Sequence, residues 1–273
     1  MIRVGIVGAA GRMGKTLVAE VAEAEGMELV SACEHGDHPA IGADAGALAG
    51  VAALDVKLGV GLASIFADGA PDAVIDFTSP QSTVALAALC AEKNVALIIG
   101  TTGLDQGQSA AISEAARSTP IVWAPNMSVG VNVLLGLVKD AARQLGDGSY
   151  DIEVIEAHHK HKKDAPSGTA MRLVEVLAEN TISDETLEQR LQHGREGLAP
   201  RRAKEIGVHA VRGGDIVGDH TVMFCTEGER VELSHRASSR RTFSRGAVRA
   251  VRWLEGKDAG LYDMQDVLGL KGR

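Results

Sequence analysis

A chain of 273 residues, 45% hydrophobic and 23% charged, has an ordinary globular composition with room for one large core or two modest ones. Its 28 Lys plus Arg against 36 Asp plus Glu leave a net charge of -8, which argues against broad attraction to nucleic acid or acidic membranes, so neither is expected as a partner. Cys33, Cys90 and Cys225 are far apart and form no CxxC pair, so they suggest neither a disulfide framework nor a zinc site and read as buried thiols in a reducing compartment. Met1 leads directly into Ile2-Arg-Val-Gly-Ile-Val7, a strand pattern and not a charged leader, and no apolar run approaches membrane-spanning length. A cytoplasmic location is expected.

In chain order, β-branched runs at 3–7, 28–33, 73–77, 96–99 and 121–124 alternate with helix-period stretches at 12–23, 82–93 and 109–118. This is the pattern of βα units and a parallel sheet. The Gly- and Ala-rich segment 36–60 shows no clear period. Beyond Asn126 the texture changes: an amphipathic helix at 131–144, a strand at 151–157, a basic loop and a helix at 168–180. Runs at 206–212, 220–225 and 230–236, separated by Gly-Gly-Asp and Glu-Gly-Glu turns, predict a mixed or antiparallel sheet, and a helix at 244–255 follows. No internal repeat is visible.

Directly after the first strand stands Gly8-Ala9-Ala10-Gly11-Arg12-Met13-Gly14, followed by the first helix. Glycines there permit a tight turn, close approach of backbone to a dinucleotide pyrophosphate, and close packing of helix on strand. The spacing is GxxGxxG and not GxGxxG, and a plain tight turn is the alternative. Glu34 closes the second strand, 20 residues after Gly14 (34 − 14), where an acid can accept hydrogen bonds from the adenosine ribose; a solvated strand-end carboxylate is the bland reading. His35 follows, with no arginine ready for a 2′-phosphate, which favours NADH being accepted at least as well as NADPH. Gly100-Thr101-Thr102-Gly103 and Ala124-Pro125-Asn126-Met127 follow later strands at carboxyl ends, where an open α/β sheet binds ligands, and could line the nicotinamide half or simply turn the chain.

His158-His159-Lys160-His161-Lys162-Lys163 puts six titratable nitrogen side chains at a strand end, and Pro166-Ser167-Gly168-Thr169 opens the next helix. Three readings compete. A solvated basic loop does not account for the adjoining helix start. A metal site from His158, His159 and His161 lacks a completing carboxylate or thiolate, so no metal is expected. An anion pocket with proton-transfer groups accounts for every part: Lys and the helix start hold a dicarboxylate while a His and a Lys exchange protons.

The run from Ile155 to Ala170 resembles the signature of the dihydrodipicolinate reductase family of the bacterial diaminopimelate and lysine pathway. The likeness extends along the chain through Gly8–Gly14, Val74–Thr78, Gly100–Gly103, Asn126–Asn132, Arg212–Thr221 and Ser234–Arg240. The resemblance implies that His158 is the proton donor or acceptor, Lys162 a proton donor, His159 a substrate contact, and Gly168 with Thr169 the clamp on a substrate carboxylate. It implies that Gly8 through Met13 bind pyrophosphate, Glu34 the ribose, and Gly100–Thr102 with Ala124–Met127 the nicotinamide side. His35 stands where some members carry an arginine that meets the 2′-phosphate, so the preference between NADH and NADPH stays open. The implied fold is α/β: a Rossmann-type parallel-sheet dinucleotide-binding domain of residues 1–127 plus 237–273, with an inserted α+β substrate and tetramerisation domain of residues 128–236. The implied activity is NAD(P)H-dependent reduction of a cyclic dicarboxylate imine by a homotetramer. Another Rossmann-type amino-acid dehydrogenase or a non-catalytic NAD(P)-sensing regulator are the alternatives.

Overall fold

The computed structural model describes residues 1–271. Their contacts divide into one unit of 1–129 with 240–271 and a second of 130–239. In chain order the elements are β1 (Ile2–Val7), α1 (Arg12–Glu23), β2 (Met27–Glu34), α2 (Ala45–Ala49), β3 (Leu58–Val60), β4 (Ala73–Asp76), α3 (Pro80–Lys93), β5 (Ala96–Ile99), α4 (Gln106–Ala115), β6 (Pro120–Trp123) and α5 (Val129–Leu145). There follow β7 (Asp151–His158), α6 (Gly168–Asn180), α7 (Leu187–Arg190), β8 (Leu191–His193), β9 (Ile206–Arg212), β10 (Gly218–Thr226), β11 (Glu229–Ala237), α8 (Arg241–Leu254), β12 (Gly260–Tyr262) and α9 (Met264–Val267).

The first unit is a seven-stranded sheet in the order β12-β6-β5-β4-β1-β2-β3, and every pairing in it is parallel. Parallel strands covered on both faces run largely apolar, as β5 does throughout and β4 does up to Asp76 at its end: Val74, Ile75, Leu97, Ile98 and Ile99 are all fully buried. One face packs on α1 and α8 through Leu17, Val21, Ala247 and Val251, the other on α3 and α4 through Leu86 and Ile112. The reversal of strand order on either side of β1 puts the carboxyl end of that strand at a topological switch point.

Several boundaries differ from expectation, each for a capping reason. Helix α3 starts at Pro80 and not at 82, because the Ser79 side chain caps the Ser82 amide and proline suits the first helical position. Helix α4 is displaced from 109–118 to Gln106–Ala115 by a reciprocal capping box between Asp105 and Gln108. The unplaced segment 36–60 holds α2, capped by Asp44, and the edge strand β3. The C-terminal strand β12 was not foreseen; at three residues it is too short to show a period. Burial pushes the Cys33 and Cys90 thiols up to about 12. Cys225, expected to be buried, is only half-buried.

The second unit is a mixed sheet in the order β11-β10-β7-β9-β8, with β10 antiparallel to both neighbours and β7, β9 and β8 mutually parallel. The β10–β11 hairpin turns at Gly228, whose φ of 87° suits glycine. One face of the sheet carries Ile152, Val154, Val208, Val222 and Phe224, which pack on Leu134 and Val138 of α5 and on Leu173, Val174 and Leu177 of α6. Strand β7 alternates strictly, its even-numbered residues buried. That register turns Glu156 and His158 to the same side as the apolar core.

Candidate active site

At the switch point of the first unit, Gly8 adopts φ 70° and Gly11 precedes α1 with no side-chain cap, so the first amides of α1 have no intrahelical partner. Helix and loop approach closely: a Cβ on Gly14 would stand 2.1 Å from the Gly8 carbonyl oxygen. The Ala10 amide donates to Glu34 Oε2 at 3.2 Å, so the strand-end carboxylate sits against the glycine loop. Backbone amides, a helix N-terminus and an adjacent acid are what a nucleotide's pyrophosphate and ribose require. Arg12 is exposed and Met13 half-buried at the start of α1, with Ala9 buried beneath them. His35 is exposed and its ring stands edge-on to His38, 5.3 Å between centroids.

The neighbouring strand ends are built around a buried acid. Asp76, fully buried at the end of β4, accepts hydrogen bonds from Thr78, Thr83 and Thr101, and burial pushes its carboxyl up. The Thr78 amide also donates to Thr101 Oγ1 at 3.0 Å. Thr101 therefore spends its hydroxyl inside the protein, while Thr102 beside it is exposed. Gly100 is required by packing, since a Cβ there would lie 2.2 Å from the Phe77 ring. Ala124 and Met127 are buried, Pro125 is exposed and Asn126 is half-buried; the Asn126 side chain accepts from the Ser128 amide at 2.9 Å.

In the second unit, β7 ends in the basic loop. His158 is 9% exposed, and its Nδ1 lies 2.6 Å from Glu156 Oε2. Arg212, at the end of the adjacent β9, makes a bidentate pair with Glu156 at 2.7 and 2.8 Å and also donates to the Asp164 carbonyl at 2.6 Å. Burial pushes the Glu156 carboxyl up, but hydrogen bonds from Arg212, His158 and the Ser167 amide together hold it below the ordinary glutamate value. Lys162 pairs with Asp164 at 2.9 Å, which lowers that carboxyl. The loop is pinned where the Gly213 amide donates to the His158 carbonyl at 2.9 Å. His159 is half-buried; Lys160, His161 and Lys163 are exposed.

Helix α6 opens next to this cluster. Ser167 caps it, its Oγ accepting from the Ala170 amide at 3.1 Å, an arrangement worth about 1 kcal/mol. The Ala165-Pro166 bond before it is cis. Gly168 is exposed, and apart from its chain neighbours no atom lies within 4 Å of where its Cβ would be, so packing does not demand the glycine and the amide stays approachable. The half-buried Thr169 follows it in the first turn. On the other side, His220 of β10 stands edge-on to His158 at 5.2 Å between centroids, with its Nε2 3.1 Å from Ser167 Oγ. Burial pulls the His220 imidazole down to about 4, so it is neutral near pH 7.

The structure thus gathers His158, Lys162, Gly168 and Thr169 in one unit, and the glycine loop, Glu34, His35 and the Gly100 and Ala124 turns in the other. Sequence reading assigned no role to Glu156, Arg212, His220 or Ser167. Glu156 did carry a signal: a carboxylate on the buried parity of an alternating strand. No such signal marks Arg212, which meets Glu156 across 56 residues. Among the described residues no group of three or more His, Cys, Asp or Glu has the arrangement of a metal site.

Residues 2–127 match the family description "Dihydrodipicolinate reductase, N-terminus", and residues 130–268 match "Dihydrodipicolinate reductase, C-terminus". The 4-hydroxy-tetrahydrodipicolinate reductase of Hahella chejuensis is 52% identical over 272 residues, covering 99% of this chain and 100% of that protein. The enzyme of the same name from Anaeromyxobacter dehalogenans is 53% identical over 273 residues, 100% of this chain and 99% of that one. Among solved structures, dipicolinate-bound dihydrodipicolinate reductase from Paenisporosarcina sp. TG-14 superposes with a TM-score of 0.78 at 28% identity, covering 97% of this chain and 98% of that one. The match runs through both units in order and almost without a gap, and the chain belongs to the dihydrodipicolinate reductase family.

Proposed function

We propose that this chain reduces 4-hydroxy-tetrahydrodipicolinate, with loss of the 4-hydroxyl as water, to tetrahydrodipicolinate in the formation of diaminopimelate and lysine. The observation that carries the chemical assignment is the buried His158 at the end of β7, beside the Ser167-capped N-terminus of α6 and the Lys162 loop. The reaction needs a hydride, a proton and a holder for two carboxylates.

The glycine loop fits a dinucleotide, because Gly14 lets α1 press against Gly8 and Ala9, and the uncapped helix start directs amides outward. In this reading Gly8, Ala9, Ala10, Gly11, Arg12 and Met13 hold the pyrophosphate, and Glu34 and His35 the adenosine ribose. Gly100–Thr102 and Ala124–Met127 line the nicotinamide side. NADH or NADPH supplies a hydride when bound.

The remaining chemistry belongs to the second unit. Gly168 and Thr169, with their backbone amides and hydroxyl, take one substrate carboxylate at a helix N-terminus, and His159 contacts the substrate as well. His158 and the Lys162 ammonium move protons. Loss of the 4-hydroxyl with a ring proton leaves an α,β-unsaturated cyclic imine, and hydride addition to one ring carbon is completed by protonation of its neighbour. A basic loop in a chain of net charge -8 suits a dicarboxylate.

Assembly into a homotetramer through the second unit is part of the proposal. The sheet face opposite α5 and α6 leaves Ile155 36% and Val211 48% exposed in the single chain, an apolar surface suited to a second copy. Light scattering on the purified protein measures that mass. The reaction is proposed to take place in the cytoplasm; no described helix is long and apolar enough to cross a membrane. The test of function is oxidation of NADH or NADPH on adding the condensation product of pyruvate and aspartate semialdehyde. Failure with both nucleotides refutes the assignment.

A further inference from the structure

We propose that Glu156 is a positioning residue for this reaction: held by Arg212, it fixes His158 in the Nδ1–H tautomer and aims Nε2 into a space that Gly218 keeps open. The proposal rests on the reading of His158 as a proton-transfer group.

Four donors saturate the Glu156 carboxylate. Oε1 accepts from Arg212 Nη2 at 2.7 Å and from the Ser167 amide at 3.0 Å; Oε2 accepts from Arg212 Nη1 at 2.8 Å and contacts His158 Nδ1 at 2.6 Å. An ionised carboxylate only accepts, so the imidazole nitrogen facing it carries the proton. The lone pair of a neutral His158 is then on Nε2, the atom left for chemistry. A side chain that is fully buried and anchored at three other points has no freedom to release the ring.

Charge is balanced around the ring. Arg212 compensates Glu156, so the carboxylate orients His158 without adding net charge beside it. His220, which packs on His158 from β10, is neutral near pH 7, and Lys162 is paired with Asp164. Gly218 stands next to Nε2. A Cβ on Gly218 would stand 3.0 Å from Nε2 and 3.4 Å from Cδ2 of His158, so any other residue there would crowd the reactive nitrogen. Glycine is not needed at 218 for its backbone, since its φ is outside the left-handed region.

The same carboxylate reaches the substrate end of the site. Its Oε1 accepts from the amide of Ser167, the residue that caps α6 immediately before Gly168 and Thr169. One side chain therefore spaces the proton-transfer ring from the proposed carboxylate-binding turn. Glu156 is fully buried behind its donors and acts through His158.

Two measurements on the full-length protein test this. With histidines labelled with ¹⁵N, and His158→Gln used to identify the His158 signals, Nδ1 should have the shift of a protonated nitrogen and Nε2 that of an unprotonated one at pH above the imidazole range. The opposite tautomer overturns the proposal, and this reading needs no turnover. Glu156→Gln presents an amide that can donate to Nδ1 and so reverse the tautomer. It should lower kcat by about a hundredfold or more while KM for both substrates stays within about twofold. An unchanged kcat, or a loss confined to KM, overturns it. A wild-type protein that fails to oxidise NADH or NADPH would refute the proposed reaction while leaving the tautomer result readable. If Glu156→Gln does not fold, the wild-type tautomer decides alone.

Discussion

Replacing Gly14 by alanine tests whether the glycine loop is a working dinucleotide site. The added methyl would lie 2.1 Å from the Gly8 carbonyl oxygen, 2.6 Å from Ala9 Cα and 2.8 Å from Ala9 C. All three are backbone atoms, and ordinary contacts are about 3.5 Å, so α1 must retreat by roughly 1 Å from the loop it packs on. Overpacking of this kind costs about 1–3 kcal/mol. For a chain of this length that lowers Tm by roughly 2–4 °C per kcal/mol. The larger effect should be on binding. Displacing the first amides of α1 from a pyrophosphate removes at least one hydrogen bond to a charged group, worth about 1.5–3 kcal/mol. At 1.4 kcal/mol per decade, Kd for NADH should rise roughly ten- to a hundredfold. Quenching or enhancement of nicotinamide fluorescence on titration gives Kd, and a melting curve gives Tm. A variant with Kd within about twofold of wild type and an unchanged Tm would show that the helix is not seated on the loop as described, and the reasoning from Gly14 would fail.

Lys162→Ala should lower kcat by about two orders of magnitude if the ammonium moves a proton, and a full-rate variant in the coupled assay removes that role. The buried His220 makes stability depend on pH. Its imidazole falls from 6.5 in the unfolded chain to about 4 in the fold, so its contribution is full above about pH 6.5 and is lost as pH falls towards 4. The loss is up to about 3 kcal/mol, visible as a decline in urea midpoint over that window. His220→Gln should flatten the decline, and an unchanged slope would mean that other groups set it. His35→Arg places a fixed charge beside Glu34, the proposed ribose-binding acid at the end of β2, and should strengthen NADPH binding about tenfold over NADH. Equal effects on both nucleotides in a titration would show that residue 35 does not face the 2′-position.

How far the fold was legible follows from the physics of each element. The runs at 4–7 in β1 and 73–75 in β4, and the whole of β5, stand out because the central stretch of a parallel strand buried on both faces is near-continuously apolar. The starts of α3 and α4 were displaced because Ser79 and Asp105 set those boundaries through side-chain caps, which a hydrophobic period does not register. Strands β3, β8 and β12 have three residues each, fewer than two full alternations, and were missed for that reason.

The glycine loop, Glu34 and the basic loop are each contiguous or positioned by one βα unit, so local order alone sufficed to single them out. Family membership likewise lay in the order of motifs along the chain, since it depends on residue identity and not on contacts. What surrounds His158 is of another kind. Arg212 and His220 reach Glu156 and Ser167 across separations of 56 and 53 residues, through the pairing of β7 with β9 and β10. Strand register is decided by which faces bury together, and only that register put a carboxylate, a guanidinium and a second imidazole around one histidine. By itself the sequence determined which residue types stand at each strand end and helix start; the tertiary structure decided which of them, Glu156, Arg212 and His220, stand around His158.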